Sequence, residues 1–275
     1  MPSSEPDTNS ITRFLKLLKV EPRDPSPEAL AELVSAYMLR VPFENVSKLY
    51  YSITSGARSL PGFETYVDGV ERYNFGGTCY ANNYYLHRLL KHLGYDVMLC
   101  GADMNNPDVH VVNIVRLGGR EYLLDAGYAA PFLEPMPRDL GEDFVVELGR
   151  DRYVLRPQDD RGFSRLDLYR EGELRHGYSV NPVAREIGHF SDVIKDSYRD
   201  DATFMNAVLL VRWYPNHSIA IHNLTLMEAS GRNWRIYQLQ GREEMVRAVE
   251  KYFGIPAEIT SAAIAEIGKF GSAWS

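Results

Sequence analysis

The sequence predicts an α+β fold in three consecutive parts: helical over residues 1–94, β-rich over 95–196 and mixed α/β over 197–275. Three observations predict it. Apolar residues recur at helical spacing in the first part, short alternating runs bounded by glycine and polar residues fill the second, and strand-like runs followed by a helix make up the third. The composition, 45% hydrophobic and 24% charged, lies in the ordinary globular range and excludes wholesale disorder.

The first ten residues are rich in Pro, Ser, Asp and Asn and are expected to fray. A helix follows, with Ile11, Phe14, Leu15 and Leu18 on one face, and Pro22, Pro25 and Pro27 interrupt the chain after it. Ser26 is placed to cap a second helix with Pro27 at its first position and Leu30, Leu33, Val34, Tyr37 and Met38 as its apolar stripe. Pro42 stops it, because the residue before a proline is pushed out of the helical region. Another helix starts near Cys79 and runs to Leu93, with Leu86, Leu89, Leu90 and Leu93 on one side and Gly94 as its stop. Strand patterns then cover 96–100, 109–117, 120–125, 144–148, 152–155 and 164–169. The last part reads as a strand pair, 208–213 and 219–227, a strand over 234–239 and a helix beginning near Arg242.

Charge and motif content exclude several functions. The net charge is −7, with no Lys/Arg block, so nucleic acid is not an expected partner. No apolar run is long enough to span a bilayer and no signal-like h-region follows Met1, which makes a cytoplasmic location the expectation. Only Cys79 and Cys100 occur and neither belongs to a CxxC pair, so neither a disulfide framework nor a thiolate zinc site is expected. His217 and His222 lack an acidic ligand cluster, so no metal is expected there either. No glycine-rich phosphate loop is present.

Two segments carry chemistry. Gly118-Gly119 between two strand patterns suggests a two-residue hairpin turn, which pairs Leu117 with Arg120 and sets Asp125 opposite Val112. Val112 and His110 share a face, so Asp125 becomes a diagonal neighbour of His110, within reach of a carboxylate–imidazole hydrogen bond. Cys79 follows Phe75-Gly76-Gly77-Thr78 and falls in the first turn of its helix. Unpaired N–H groups and the positive end of the helix dipole favour a thiolate there, and a nearby imidazolium favours it more. Taken singly, Cys79 also fits a small buried residue, His110 a core histidine and Asp125 a turn cap. Together they supply a nucleophile, a base and an orienting carboxylate. Cys100, in an apolar strand, reads as structural.

Val41-Pro42-Phe43-Glu44-Asn45-Val46, Gly76-Gly77-Thr78-Cys79-Tyr80 and Asp125-Ala126-Gly127-Tyr128 occur in this order, with His110 between the last two. They resemble the three signature segments of the arylamine N-acetyltransferases, and a looser likeness continues through Phe204 and Asn223. The resemblance implies a helical bundle, a β-barrel and an α/β lid around a cysteine-peptidase-like core. It implies transfer of an acyl group, acetyl from acetyl-coenzyme A, to an aromatic amine, hydrazine or N-hydroxyarylamine, by a ping-pong mechanism through acyl-Cys79. Cys79, His110 and Asp125 would be catalytic, and Phe43, Gly127, Tyr128 and Phe204 would bind substrate.

This sequence departs from the family pattern at three places. Phe75 stands for the usual Arg, Ala81 for Glu and Ala129 for the second Gly of Gly-Phe-Gly. Glu44 therefore loses its family partner and is expected to find another donor, since a buried, partnerless carboxylate costs several kcal/mol. Competing readings are an amide synthase or thiol hydrolase on the same triad, and a degenerate ligand-binding homologue without activity.

Overall fold

The computed structural model describes residues 8–271; of the ten residues expected to fray, 1–7 lie outside these, while Thr8, Asn9 and Ser10 instead open a helix. The first helix, α1 (Thr8–Leu18), buries Ile11, Phe14, Leu15 and Leu18 as the spacing requires. Helix α2 (Pro27–Arg40) is capped by the Ser26 hydroxyl, which accepts from the Ala29 amide at 3.1 Å, and it ends before Pro42. A two-residue strand, β1 (Phe43–Glu44), follows, then α3 (Val46–Ser55) and α4 (Phe63–Tyr73). The sequence reading had neither helix. Helix α3 buries Ser47 and Lys48 beside Val46 and Leu49, which blurs its apolar period, whereas α4 buries Phe63, Tyr66, Val67 and Val70 at helical spacing, a signal present in the sequence. Helix α5 (Cys79–His92) completes the helical part.

Eight strands follow in a single antiparallel, barrel-like sheet: β2 (Asp96–Asp103), β3 (His110–Leu117), β4 (Arg120–Leu124), β5 (Met136–Pro137), β6 (Phe144–Leu148), β7 (Asp151–Leu155), β8 (Ser164–Arg170) and β9 (Glu173–Ala184). Their order is β5-β4-β3-β2-β9-β8-β7-β6. The expected hairpin is present: Leu117 pairs with Arg120, and Gly118 and Gly119 both have positive φ, as a two-residue primed turn demands. The apolar interior includes Val112, Ile114, Phe132, Tyr153, Leu166 and Tyr178. Strand β9, absent from the sequence reading, joins the two halves of this sheet by pairing with β2 on one side and β8 on the other.

A 3₁₀ turn (Ile187–Phe190) and α6 (Ser191–Asp196) lead to β10 (Leu209–Tyr214), β11 (His217–His222), β12 (Thr225–Ser230) and β13 (Asn233–Gln238). The run 219–227, expected as one strand, folds back at Asn223, whose φ is +52°, and becomes β11 and β12. Asparagine tolerates that left-handed geometry better than most residues. Helices α7 (Arg242–Phe253) and α8 (Ala257–Ala263) pack on one face of this sheet. On the other face, Leu209, Val211 and Trp213 join the core of the helical part. Strand β1 adds to the sheet edge, Phe43 opposite Val211 and Glu44 opposite Leu210, so the early Pro-Phe-Glu-Asn segment is held by residues more than 160 positions later. Among the described residues no helix is long and apolar enough to cross a membrane.

Candidate active site

Asn45 and Glu44 show what the Pro-Phe-Glu-Asn segment does. The Asn45 amide donates to the carbonyls of Phe204 (3.0 Å) and Ala207 (2.7 Å), and its oxygen accepts from the Leu209 amide (2.8 Å). Phe204 is thereby set edge-on to Phe43, ring centroids 5.7 Å apart. Glu44 is fully buried, and its carboxylate accepts from the amides of Ser47 (2.8 Å) and Gly76 (3.0 Å). Burial pushes its carboxyl up, and the hydrogen bonds from Ser47, Gly76 and Val46 act against that push. The expected replacement donors are thus backbone amides. Phe75 is buried and packs against Tyr50, Tyr51 and Tyr73.

The loop before Cys79 is fixed by the same contacts. A Cβ on Gly76 would lie 1.9 Å from the Pro42 carbonyl oxygen, so only glycine fits there. Gly77 bridges to Phe43, and its carbonyl accepts from the Glu44 amide at 3.1 Å. Cys79 is then the first residue of α5 and partly exposed, at the end where backbone N–H groups lack intrahelical partners.

His110 opens β3 and is 2% exposed; its Nε2 lies 2.8 Å from Asp125 Oδ2. The strand register puts the two residues side by side, as expected. Cys79 acts on the same imidazole and favours its charged form. Asp125 is buried with four donors on its two oxygens. Oδ1 accepts from Asn83 Nδ2 and the Gly127 amide, both at 2.8 Å, and Oδ2 accepts from His110 and from the Tyr178 hydroxyl at 2.7 Å. Burial would raise the Asp125 carboxyl, but His110, Asn83 and Tyr178 outweigh it and hold the group below the usual carboxylate range. Burial likewise pulls the His110 imidazolium down, while the Asp125 charge and hydrogen bond, with Cys79, raise it to about 10. Cys100 differs: burial in the barrel pushes its thiol up to about 12, which keeps it a neutral core residue.

Gly127 lies against Cys79, because a Cβ there would come within 2.5 Å of the Cys79 Cα. Tyr128 stands with its ring centroid 5.9 Å from that of His110 and stacks parallel on Phe132. Its hydroxyl lies 2.6 Å from His176 Nδ1. Burial, with the nearby charges of His110 and Arg165, holds His176 below the usual histidine value. The sequence reading missed Asn83, Tyr178 and His176. Asn83 was accessible in principle, one helical turn after Cys79 at i+4. Tyr178 and His176 carried no local signal, since they reach the site only through the pairing of β9. His217, weighed as a ligand, stacks on Tyr214 at 4.2 Å.

The structure thus brings together a buried carboxylate, an imidazole hydrogen-bonded to it and a cysteine at a helix start, on a helical, barrel and α/β framework. The model of the N-acetyltransferase family matches residues 27–262, and the chain belongs to that family. Among curated relatives, arylamine N-acetyltransferase 1 of Homo sapiens is 30% identical over 193 residues, covering 60% of this chain and 63% of the relative. Proansamycin X synthase of Amycolatopsis mediterranei (strain S699) is 32% identical over 119 residues, covering 40% of this chain and 44% of the relative. The matches therefore span less than two thirds of these relatives' own lengths. The structure of Mycobacterium marinum arylamine N-acetyltransferase in complex with CoA superposes with a TM-score of 0.76 at 21% identity, covering 94% of this chain and 99% of that one. At that identity the likeness speaks for the fold, which is the α+β arrangement expected from the sequence.

Proposed function

We propose that the chain transfers an acetyl group from acetyl-coenzyme A to an aromatic amine, hydrazine or N-hydroxyarylamine by a ping-pong mechanism through acyl-Cys79. The observation that carries this reading is the Cys79–His110–Asp125 arrangement, in which Asn83, the Gly127 amide and Tyr178 fix the buried carboxylate that accepts from the imidazole. Family membership, and the CoA bound by the M. marinum neighbour, support the acyl donor.

In the first half-reaction the Cys79 thiolate attacks the thioester carbonyl, and its backbone N–H, free at the helix start, faces the developing oxyanion. The carbon–sulfur bond to coenzyme A breaks, and the His110 imidazolium protonates the departing thiolate. In the second, the amine nitrogen attacks the acyl-Cys79 carbonyl and His110, now neutral, takes the amine proton. The amide leaves and the Cys79 thiolate returns beside a protonated imidazole. Asp125 stays ionised throughout and stabilises the imidazolium. Phe43 and Phe204 line the acceptor side, with Gly127 and Tyr128 against the nucleophile. We assign residues 1–94 to supplying the cysteine, 95–196 to supplying His110 and Asp125, and 197–275 to the lid. Two unpaired cysteines suit a reducing compartment such as the cytoplasm.

Intact mass after exposure to a series of acyl-coenzyme A thioesters tests the proposal. One acetyl increment on wild type and on Cys100→Ala, absent from Cys79→Ala and discharged by an aromatic amine, is the expected result. Amine acetylation that persists in Cys79→Ala would refute it.

A further inference from the structure

We propose that Tyr80 is a positioning residue for this reaction: its hydroxyl ties the helix start that carries Cys79 to the turn that delivers His110, and so holds the two groups in register. The inference rests on the reading of Cys79 as the nucleophile. Tyr80 is the second residue of α5 and only 5% exposed. Its ring packs against Phe190 of the 3₁₀ turn, centroids 5.8 Å apart, and its hydroxyl donates to the Asp108 carbonyl. One partner in this bond follows Cys79 directly along the chain, and the other comes two residues before His110.

The turn at 104–109 is built to present that carbonyl. Asp108 has a φ of +55°, in the left-handed region that an aspartate enters at some cost, and such a residue persists where its surroundings over-determine it. Here they do. Asp103, the last residue of β2, accepts the Asp108 amide on its Oδ1 at 2.9 Å, and Asp108 Oδ2 lies 3.1 Å from His189 Nε2. Gly101 leaves room for this side chain, since a Cβ there would come within 1.9 Å of Asp108 Oδ1. The amide, the carboxylate and the carbonyl of one residue are thus held from β2, from the 3₁₀ turn and from α5.

A buried tyrosine hydroxyl takes a partner wherever it sits, and Tyr198 is the plain structural case. Its hydroxyl donates to the Ser59 carbonyl at 2.8 Å, joining segments that carry neither Cys79 nor His110. Tyr80 differs in what its bond connects. His110 is set within the barrel by its pairing with Ala102 and by Asp125, and Cys79 within the helical part by the Gly76–Gly77 loop. Two ties on α5 then join the parts: Asn83, one turn along, bonds to Val111 and Asp125, and Tyr80 fixes the first turn itself. Acyl transfer is steep in this geometry, because a misplacement of about 1 Å costs about a hundredfold in rate.

The test is single-turnover acetylation by acetyl-coenzyme A, followed by intact mass over a range of donor concentrations well below the thermal midpoints, for wild type, Tyr80→Phe, Tyr198→Phe and Cys79→Ala. Each phenylalanine variant keeps its ring and loses one hydroxyl-to-carbonyl bond, so thermal midpoints report the structural share of that bond. Only Tyr80→Phe is expected to lower the saturating acetylation rate, by about tenfold, with the half-saturating donor concentration unchanged. A Tyr80→Phe rate equal to that of Tyr198→Phe, with Cys79 still acetylated, would overturn this inference alone. So would an effect confined to the half-saturating concentration, which would make Tyr80 a donor-binding residue. Wild type that takes up no acetyl group, or Cys79→Ala that still does, would overturn it together with the nucleophile reading.

Discussion

Ala129 is the residue at which departure from the family pattern leaves a mark on the backbone. Its φ is +58°, in the left-handed region where a Cβ crowds the following carbonyl and where glycine is at ease. Ala129→Gly removes that crowding at the cost of a more flexible unfolded chain. The first effect is the larger, so the variant is expected to gain about 1 kcal/mol of stability. Denaturant unfolding checks it; an unchanged or lower midpoint would show that the surroundings have absorbed the strain. Phe75 makes the complementary point. Losing a guanidinium next to Glu44 does not strand the carboxylate, because amides of Ser47 and Gly76 were within reach once the chain turned there.

Strand β1 and the turn into α3 form the element that couples the beginning of the chain to its end. Asn45 makes three hydrogen bonds to the 204–209 segment and places Phe204 against Phe43. Asn45→Ala leaves two carbonyls and an amide without their side-chain partner, and a buried group so left costs about 1–3 kcal/mol. The expected result is a loss of a few kcal/mol, with KM for the aromatic amine rising more than kcat falls, since Phe204 is displaced while the triad is untouched. Steady-state kinetics beside urea unfolding separate the two effects. A fall in kcat alone would place Asn45 in the chemistry instead.

The whole molecule stores stability in the His110–Asp125 pair, and pH reads it out. The folded His110 sits at about 10, above its ordinary 6.5, so its contribution is complete below pH 6.5 and is lost as pH rises toward 10. Asp125 is held low, so its contribution is present above the ordinary carboxylate range and lost as pH falls through the depressed value. Lys48 acts with the opposite sign, because its lowered value favours the folded state increasingly between about 8 and 10.5. The clean measurement is therefore the stability difference between wild type and Asp125→Asn. It is expected to be largest between the ordinary carboxylate range and pH 6.5 and to shrink as pH rises from 6.5 toward 10. A difference that stays constant from pH 6 to 10 would mean that the pair is not ionic in the folded protein.

The sequence by itself determined the helix starts at Pro27 and Cys79, the Gly118-Gly119 hairpin, the juxtaposition of His110 with Asp125 and the family signature, because each of these is written in residues near one another along the chain. Capping, turn geometry and strand alternation are local, and local rules reach them. Helix α3 escaped because Ser47 and Lys48 interrupt the apolar period of its buried face, whereas α4, with Phe63, Tyr66, Val67 and Val70 on one face, followed the helical period and was open to local rules. The split of 219–227 into two strands depended on one asparagine accepting a left-handed turn. Strand β9, with Tyr178 on Asp125 and His176 on Tyr128, and the burial of Lys48 under Ser197 were decided by tertiary structure alone. Those contacts join residues 48 to 149 positions apart, and no periodicity within a single element can specify a partner at that separation.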